Sequence, residues 1–271
     1  MGSLVTAMAS YCEAKTHNGH WLLRIDDIDP PREQPGAATL IKETLERHGF
    51  QWDGPIVYQS LRQSNYQQAF DRLHKDQQLY GCACTRKTLA NTPVYPGHCR
   101  DAGLPLDGNA CRCRCRPTTP DMYAGAQGSN DGSQPVNHEP EDVIVRRRDG
   151  LFSYTLATVV DDITDRISHV VRGMDLHAAE AAQTRLFYQL GASPPAWFYT
   201  EIVTNNQQQK LSKQNLAPAL DNTHALDNLT TAWQLLKQTG MTSVRSVDTF
   251  WQQALTLWSP ARGLCSPQET R

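Results

Sequence analysis

The chain has 271 residues and is 39% hydrophobic, enough for one large α/β domain or one domain with a small appendage, and too apolar for wholesale disorder. A formal net charge of −2 excludes a global positive field for nucleic acid, so any RNA contact must come from a local patch. No run of 18 apolar residues and no signal peptide is visible, so the reading is a cytoplasmic, monomeric protein without a membrane span, whose eight cysteines point to metal or free thiols rather than disulfides.

Leu4, Val5, Met8, Tyr11 and Cys12 recur at helical spacing, and Gly19 is placed to end that helix. Trp21 to Ile25 reads as a short strand, broken by an acidic turn and by Pro30-Pro31. Leu40, Ile41, Leu45 and His48 mark a second helix stopped at Gly49, Ile56 to Tyr58 a second strand, and Tyr66, Ala69, Phe70 and Leu73 a third helix. This alternation predicts a parallel sheet with covering helices. Residues 81–116 are rich in cysteine and arginine, and 117–141, rich in Pro, Gly, Ser, Asn and Asp, read as a long loop. Regular structure resumes at Val143-Ile144-Val145, continues as a helix from Ala178 to Leu190 and a strand from Phe198 to Val203, and ends in two amphipathic helices near Ala225–Gln238 and Val247–Trp258.

Seven residues or stretches carry candidate chemistry. Lys210-Leu211-Ser212-Lys213-Gln214-Asn215 sets two lysines three residues apart around a small hydroxyl residue, a loop able to hold a triphosphate and follow charge developing on phosphorus, although lysine-rich hexamers also serve as solvated turns. Arg24-Ile25-Asp26-Asp27-Ile28-Asp29 ends a strand; its carboxylates either cap the turn or place an acid at the sheet edge, where open α/β sheets bind ligands and where it would hold an ammonium group. Arg172, after a β-branched pair and beside Gly173, is suited to fork onto a carboxylate or to pair with Asp161, Asp162 or Asp175. Tyr154, between apolar residues, reads on its own as a core tyrosine. Cys82-x-Cys84 with Tyr95 and Cys99 offers three thiolates and a phenolate for tetrahedral zinc, with His98 a competing fourth ligand and unligated buried thiols the plain alternative. Cys111-Arg112-Cys113-Arg114-Cys115-Arg116 alternates strictly. As a strand it turns its cysteines to a core face and its arginines to a solvated face; the sharper alternatives are further zinc ligands or an RNA-facing strip. Arg146-Arg147-Arg148 reads as a solvated edge or a phosphate contact.

The segments RIDDIDPPRE (Arg24 to Glu33), VVRGMDL (Val170 to Leu176) and the lysine hexamer, in this order, resemble class I glutamyl-tRNA synthetases. Pro-Pro-Arg after the acidic turn and Gln-Asn after the second lysine resemble the short branch of that family, the glutamyl-queuosine tRNA(Asp) synthetases. Only 56 residues (216–271) follow Asn215, too few for the anticodon-binding region of a full synthetase. The resemblance implies a Rossmann-like parallel sheet with an inserted zinc-binding subdomain and a small helical C-terminal part. The implied segments are residues 1–80 (first catalytic part), 81–142 (insertion, with a flexible loop over 117–141), 143–220 (second catalytic part) and 221–271 (helical region). It implies ATP-dependent activation of glutamate and its transfer to queuosine in the anticodon of tRNA(Asp). Asp26 (usually Glu in the family), Tyr154 and Arg172 would bind glutamate, Lys213 assisted by Lys210 would serve catalysis, and Lys213 and Gly2 would contact ATP. It further implies one structural zinc on Cys82, Cys84, Tyr95 and Cys99, and magnesium entering with ATP. Gly2, Ser3 and Leu4 match the end of the family's His-x-Gly-His-like signature; the strand, the glutamate-binding arginine and the ATP-contacting histidine that precede it in the family do not occur here. A wrongly placed start or a decaying gene would explain this, and the expectation is an unstable or inactive chain as written.

Overall fold

The computed structural model describes residues 1–90, 92, 95–114, 141–204 and 220–265. Lys210 and Lys213, Cys115, and nearly all of the loop expected at 117–141 lie outside the described residues.

Helix α1 (Gly2–Thr16) forms where its apolar spacing places it, and Leu4, Val5, Met8, Tyr11 and Cys12 are all buried. It packs on the parallel pair β6 (His169–Gly173) and β7 (Ala196–Thr200), with Thr6 Oγ1 and Thr200 Oγ1 3.0 Å apart, and on the C-terminal helices α6 (Ala225–Leu235) and α7 (Val247–Leu257). The core between them is aromatic: Tyr11 meets Trp21, Phe50 and Trp251 edge-on at centroid separations of 5.2, 5.4 and 4.8 Å. Such pairs add about 0.5–1.5 kcal/mol each beyond the area they bury. Gly49 (φ +76°) turns the chain beneath this cluster, where a β-carbon would stand 2.5 Å from Val247 Cγ1. The turn requires glycine on both backbone and packing grounds.

A second parallel pair, β1 (Arg24–Ile25) with β2 (Val57–Tyr58), is shorter than the expected strands; before it, the Trp21 and Leu23 carbonyls accept the amides of Asp53 and Val57 at 2.8 and 3.0 Å. Among the described residues no strand joins β1–β2 to β6–β7. The third sheet is antiparallel and lies in and beside the expected insertion. β3 (Leu79–Cys82), β4 (Ala110–Cys113) and β5 (Val143–Arg146) run antiparallel in that order. Cys111 and Cys113 face a second core built with α3 (Gln63–Lys75), α4 (Tyr154–Thr164) and α5 (Glu180–Gln189). Gly81 in β3 lets the backbone of Leu104 and Pro105 cross it; a β-carbon there would sit 2.2 Å from the Pro105 carbonyl oxygen.

Two helices differ from expectation. Helix α2 (Ala37–Arg47) has the predicted period but buries no residue: Leu40 and Ile41 are 58% and 50% exposed, because among the described residues only Leu45 of that face reaches the first core. The helix expected from Ala178 starts instead as a 3₁₀ turn, Met174–Ala179, that feeds α5. A short helix α8 (Pro260–Gly263) closes the described chain, and no helix in it is long and apolar enough to cross a membrane.

Candidate functional site

Three elements bring the predicted glutamate-site residues together. Asp26 follows β1, Tyr154 opens α4, and Arg172 lies within β6. Ser153 fixes the start of α4 by accepting the Leu156 amide on its hydroxyl at 3.2 Å, which leaves Tyr154 on the first turn, 42% exposed rather than in the core. Burial of its hydroxyl raises the Tyr154 pKa; the negative charge of Asp26 adds to that shift, and the cations of Arg172 and Arg24 oppose it. The phenol therefore lies in electrostatic range of an acid and two guanidinium groups.

Arg172 is buried, and the expected partners Asp161, Asp162 and Asp175 do not hold it. Its Nη1 donates to Gln183 Oε1 at 2.5 Å and its Nη2 to the Tyr199 hydroxyl at 3.0 Å. Tyr199 in turn donates to Glu180, and Gln183 donates to Thr158 Oγ1 at 2.9 Å. The guanidinium carbon lies 4.2 Å from the centroid of the Trp197 ring, and Nε is buried without a hydrogen-bond partner among the described residues. Burial raises the Tyr199 pKa, as does its bond to Glu180, so the hydroxyl stays protonated and keeps this chain of donors ordered. Sequence reasoning missed Gln183, Tyr199 and Glu180. Tyr199 faces Arg172 because the parallel register pairs them, a long-range fact that no local pattern encodes.

A second network fixes Asp26. Arg24 Nε donates to Asp26 Oδ1 at 2.7 Å and its Nη1 to Asp162 Oδ1 at 2.8 Å. Behind it Asp161, fully buried, accepts from Gln59 Nε2 at 2.7 Å, Arg62 Nη1 at 3.0 Å and Tyr66 Oη at 3.0 Å. Burial works against the Arg24 charge, but Asp26 and Asp162 outweigh it and raise its pKa. Burial likewise raises the Asp162 pKa, partly offset by Arg24. Gly2 begins α1, and a β-carbon built on it meets nothing within 4 Å.

The cysteine cluster is compact. The Sγ atoms of Cys82, Cys84 and Cys99 all lie within 4.8 Å of one another, with Cys84 and Cys99 3.6 Å apart. A tetrahedral zinc with Zn–S bonds of about 2.3 Å spaces its sulfurs about 3.8 Å apart, so these residues fit the ion. Tyr95 Oη stands 3.5 Å from Cys82 Sγ and accepts the Cys99 amide at 3.0 Å. His98 is exposed and outside the cluster, while Cys111 and Cys113 face the second core. Burial opposes ionisation of Cys82, but Tyr95 and Arg112 overcome it and bring the thiol down to about 7; burial and the two neighbouring sulfurs push Cys84 up to about 11. The basic face expected for the Cys-Arg alternation is corrected at Arg112, which is buried because its side of β4 packs on this cluster rather than on water.

This architecture is the catalytic fold of class I tRNA synthetases. Two solved structures share it: glutamate-tRNA synthetase from Elizabethkingia anophelis (TM-score 0.62, 22% identity, 79% of this chain and 50% of that one) and a glutamate tRNA ligase from Elizabethkingia meningosepticum in complex with its amino acid (TM-score 0.71, 18% identity, 97% and 62%). The chain thus spans less than two thirds of either solved structure. The sequence profile of the tRNA synthetases class I (E and Q), catalytic domain, matches residues 1–93 and 127–256. The chain belongs to this family, on the branch of the glutamyl-Q tRNA(Asp) synthetases. It is 40% identical to the glutamyl-Q tRNA(Asp) synthetase of Chromobacterium violaceum over 98% of its own length and 91% of the relative's. To that of Yersinia pseudotuberculosis it is 39% identical, over 100% and 83%.

Proposed function

We propose that this protein activates glutamate with ATP and transfers it to queuosine in the anticodon of tRNA(Asp). The observation that carries the reading is the 40% identity with a glutamyl-Q tRNA(Asp) synthetase along 98% of the chain. The site is consistent with the first step. The Asp26 carboxylate would hold the substrate ammonium, Tyr154 would line the pocket, and Arg172 would fork onto a substrate carboxylate. A ligand oxygen accepting from Arg172 Nε would satisfy the donor that the described residues leave unpaired.

Activation needs little acid–base chemistry. A glutamate carboxylate oxygen bonds to the α-phosphorus of ATP, the bond to the bridging oxygen breaks, and pyrophosphate leaves. The protein contributes alignment and fixed cations, with Lys213 and Lys210 at the phosphates and Gly2 near ATP. Magnesium entering with ATP would supply further charge neutralisation. Zinc on Cys82, Cys84, Cys99 and, as fourth ligand, Tyr95 would brace residues 81–142 as an insertion between the two catalytic parts.

Glutamate-dependent ATP–pyrophosphate exchange tests the first step, and Lys213→Ala is expected to lower its rate far more than it weakens glutamate binding. For the second step, base-labile glutamate should appear on tRNA(Asp) and survive removal of the terminal adenosine. Glutamate lost with that adenosine would mean charging of the 3′ end instead, and tight tRNA binding without exchange would mean a non-catalytic protein.

A further inference from the structure

We propose that Arg112 is the positioning and charge-balancing residue of the metal centre: its buried guanidinium offsets the negative charge that three thiolates and a phenolate gather on one zinc, and its contacts fix Cys82 and Tyr95 in place. The inference rests on the reading of Cys82, Cys84, Cys99 and Tyr95 as zinc ligands. Four anionic ligands around a dication leave two negative charges in excess, and the cluster is largely buried. A charge set out of water needs a partner close by.

Arg112 has the complementary problem. It is only 6% exposed, and among the described residues no carboxylate oxygen lies within salt-bridge distance of it. Asp142 offers it a backbone oxygen at 2.5 Å, while the Asp142 carboxylate accepts from Tyr80 Oη at 2.6 Å and Arg100 Nε at 2.7 Å. What Arg112 does face is the cluster. Its Nε–H points to Cys82 Sγ at 3.4 Å, and its guanidinium carbon stands 3.7 Å from the centroid of the Tyr95 ring.

The strand explains the placement. Arg112 pairs across the ladder with Tyr80, and the period of two puts it on the Tyr80–Cys82 side while Cys111 and Cys113 turn to the second core. One planar cation thus meets a ligand sulfur along an N–H and a ligand ring across its face. A lysine, with a point charge and no plane, does not make both contacts at once in this geometry. Partners of this kind hold first-shell ligands in orientation, and their loss usually costs about 10–100-fold in metal affinity.

The test is zinc retention by the intact chain, read as metal content and as the rate of transfer to a chromophoric chelator. Arg112→Met is expected to lose zinc about 10–100-fold faster than wild type. On a Tyr95→Phe background the same change should have a smaller effect, because the phenolate it balances is gone. Unchanged zinc transfer, with thermal stability lowered equally in loaded and stripped protein, would reduce Arg112 to packing and overturn the inference. Should Arg112→Met not fold, the wild type decides. Its Arg112 Nε–H resonance is expected to shift on loading with cadmium-113, and a resonance identical with and without metal overturns the proposal. Wild-type protein that binds no zinc overturns the metal centre and this inference together; zinc-loaded wild type with an indifferent Arg112→Met overturns the inference alone.

Discussion

Replacing Gln183 by glutamate separates stability from substrate binding at the candidate glutamate site. In the structure Gln183 Oε1 accepts from Arg172 Nη1 at 2.5 Å, and both side chains are buried. Gln183→Glu keeps an acceptor at that position and turns a neutral contact into an ion pair, so the fold should persist. A substrate carboxylate on the opposite edge of the guanidinium would then face a new negative charge roughly 5–6 Å away. At an effective dielectric of about 20, the repulsion is about 3 kcal/mol. This corresponds to a rise on the order of a hundredfold in the KM for glutamate. The assay is glutamate-dependent ATP–pyrophosphate exchange at saturating ATP, beside a thermal melt of the same preparation. A KM within about threefold of wild type in a folded variant would refute the placement of a carboxylate on Arg172. Gln183→Leu serves as the contrast: it strips the acceptor from a buried cation and should cost about 2–3 kcal/mol of stability.

Asp161→Ala removes the acceptor shared by Gln59, Arg62 and Tyr66. We expect a loss of about 3–5 kcal/mol in urea unfolding, and a loss below about 1 kcal/mol would contradict the network. His48 is buried and neutral, its Nδ1 on the Thr44 carbonyl oxygen at 2.7 Å and its Nε2 toward Asn228 at 3.1 Å. Burial lowers its pKa below the ordinary 6.5, so the unfolded chain takes up the proton first. The stability His48 protects is therefore complete above 6.5 and falls as the pH drops through that value toward the folded pKa. His48→Gln should flatten this part of the pH–stability curve, and an unchanged slope would remove His48 as its source. Chelation of zinc should raise hydrogen exchange at Tyr80, Cys82, Tyr95 and Cys99, a satellite cluster of four buried residues too small to hold its own backbone, while α1 and α7 stay protected. Equal exchange with and without chelator would show that the metal does not hold this region.

Local patterns announced the elements, and long-range pairing decided their use. The five apolar positions of α1 are legible because burial there follows helical period alone. Leu40 and Ile41 have the same period and stay exposed, since a period says which face is apolar but not whether anything covers it. Val143 to Val145 reads as a strand, yet its antiparallel partner β4 lies some thirty residues earlier in the chain, beyond any local signal. The glutamate-binding roles of Asp26, Tyr154 and Arg172 came from a resemblance. The groups that hold Arg172, Gln183 and Tyr199, came only from the register of β6 against β7 and from the packing of α5 on α4.

The arginines sort by what neutralises them. Arg62 shares Asp161 and Asp165, and Arg24 shares Asp26 and Asp162. These charges are met by carboxylates within the protein, and their work is to lock one side chain against another. Arg172 and Arg112 are equally buried, at 6% each, and among the described residues neither has a carboxylate in salt-bridge range. Each lies against an aromatic ring instead, Trp197 or Tyr95, which softens the cost of burial without cancelling the charge. Holding a cation in that condition is unfavourable for the empty fold and favourable once an anion arrives. A buried guanidinium without an acid partner is therefore a marker for a missing negative group. In the proposed reading, that group is a substrate carboxylate at Arg172 and the anionic shell of the metal at Arg112. Substituting either arginine by methionine should accordingly penalise the ligand-bound protein more than the empty one, whereas Arg62→Met should penalise both alike.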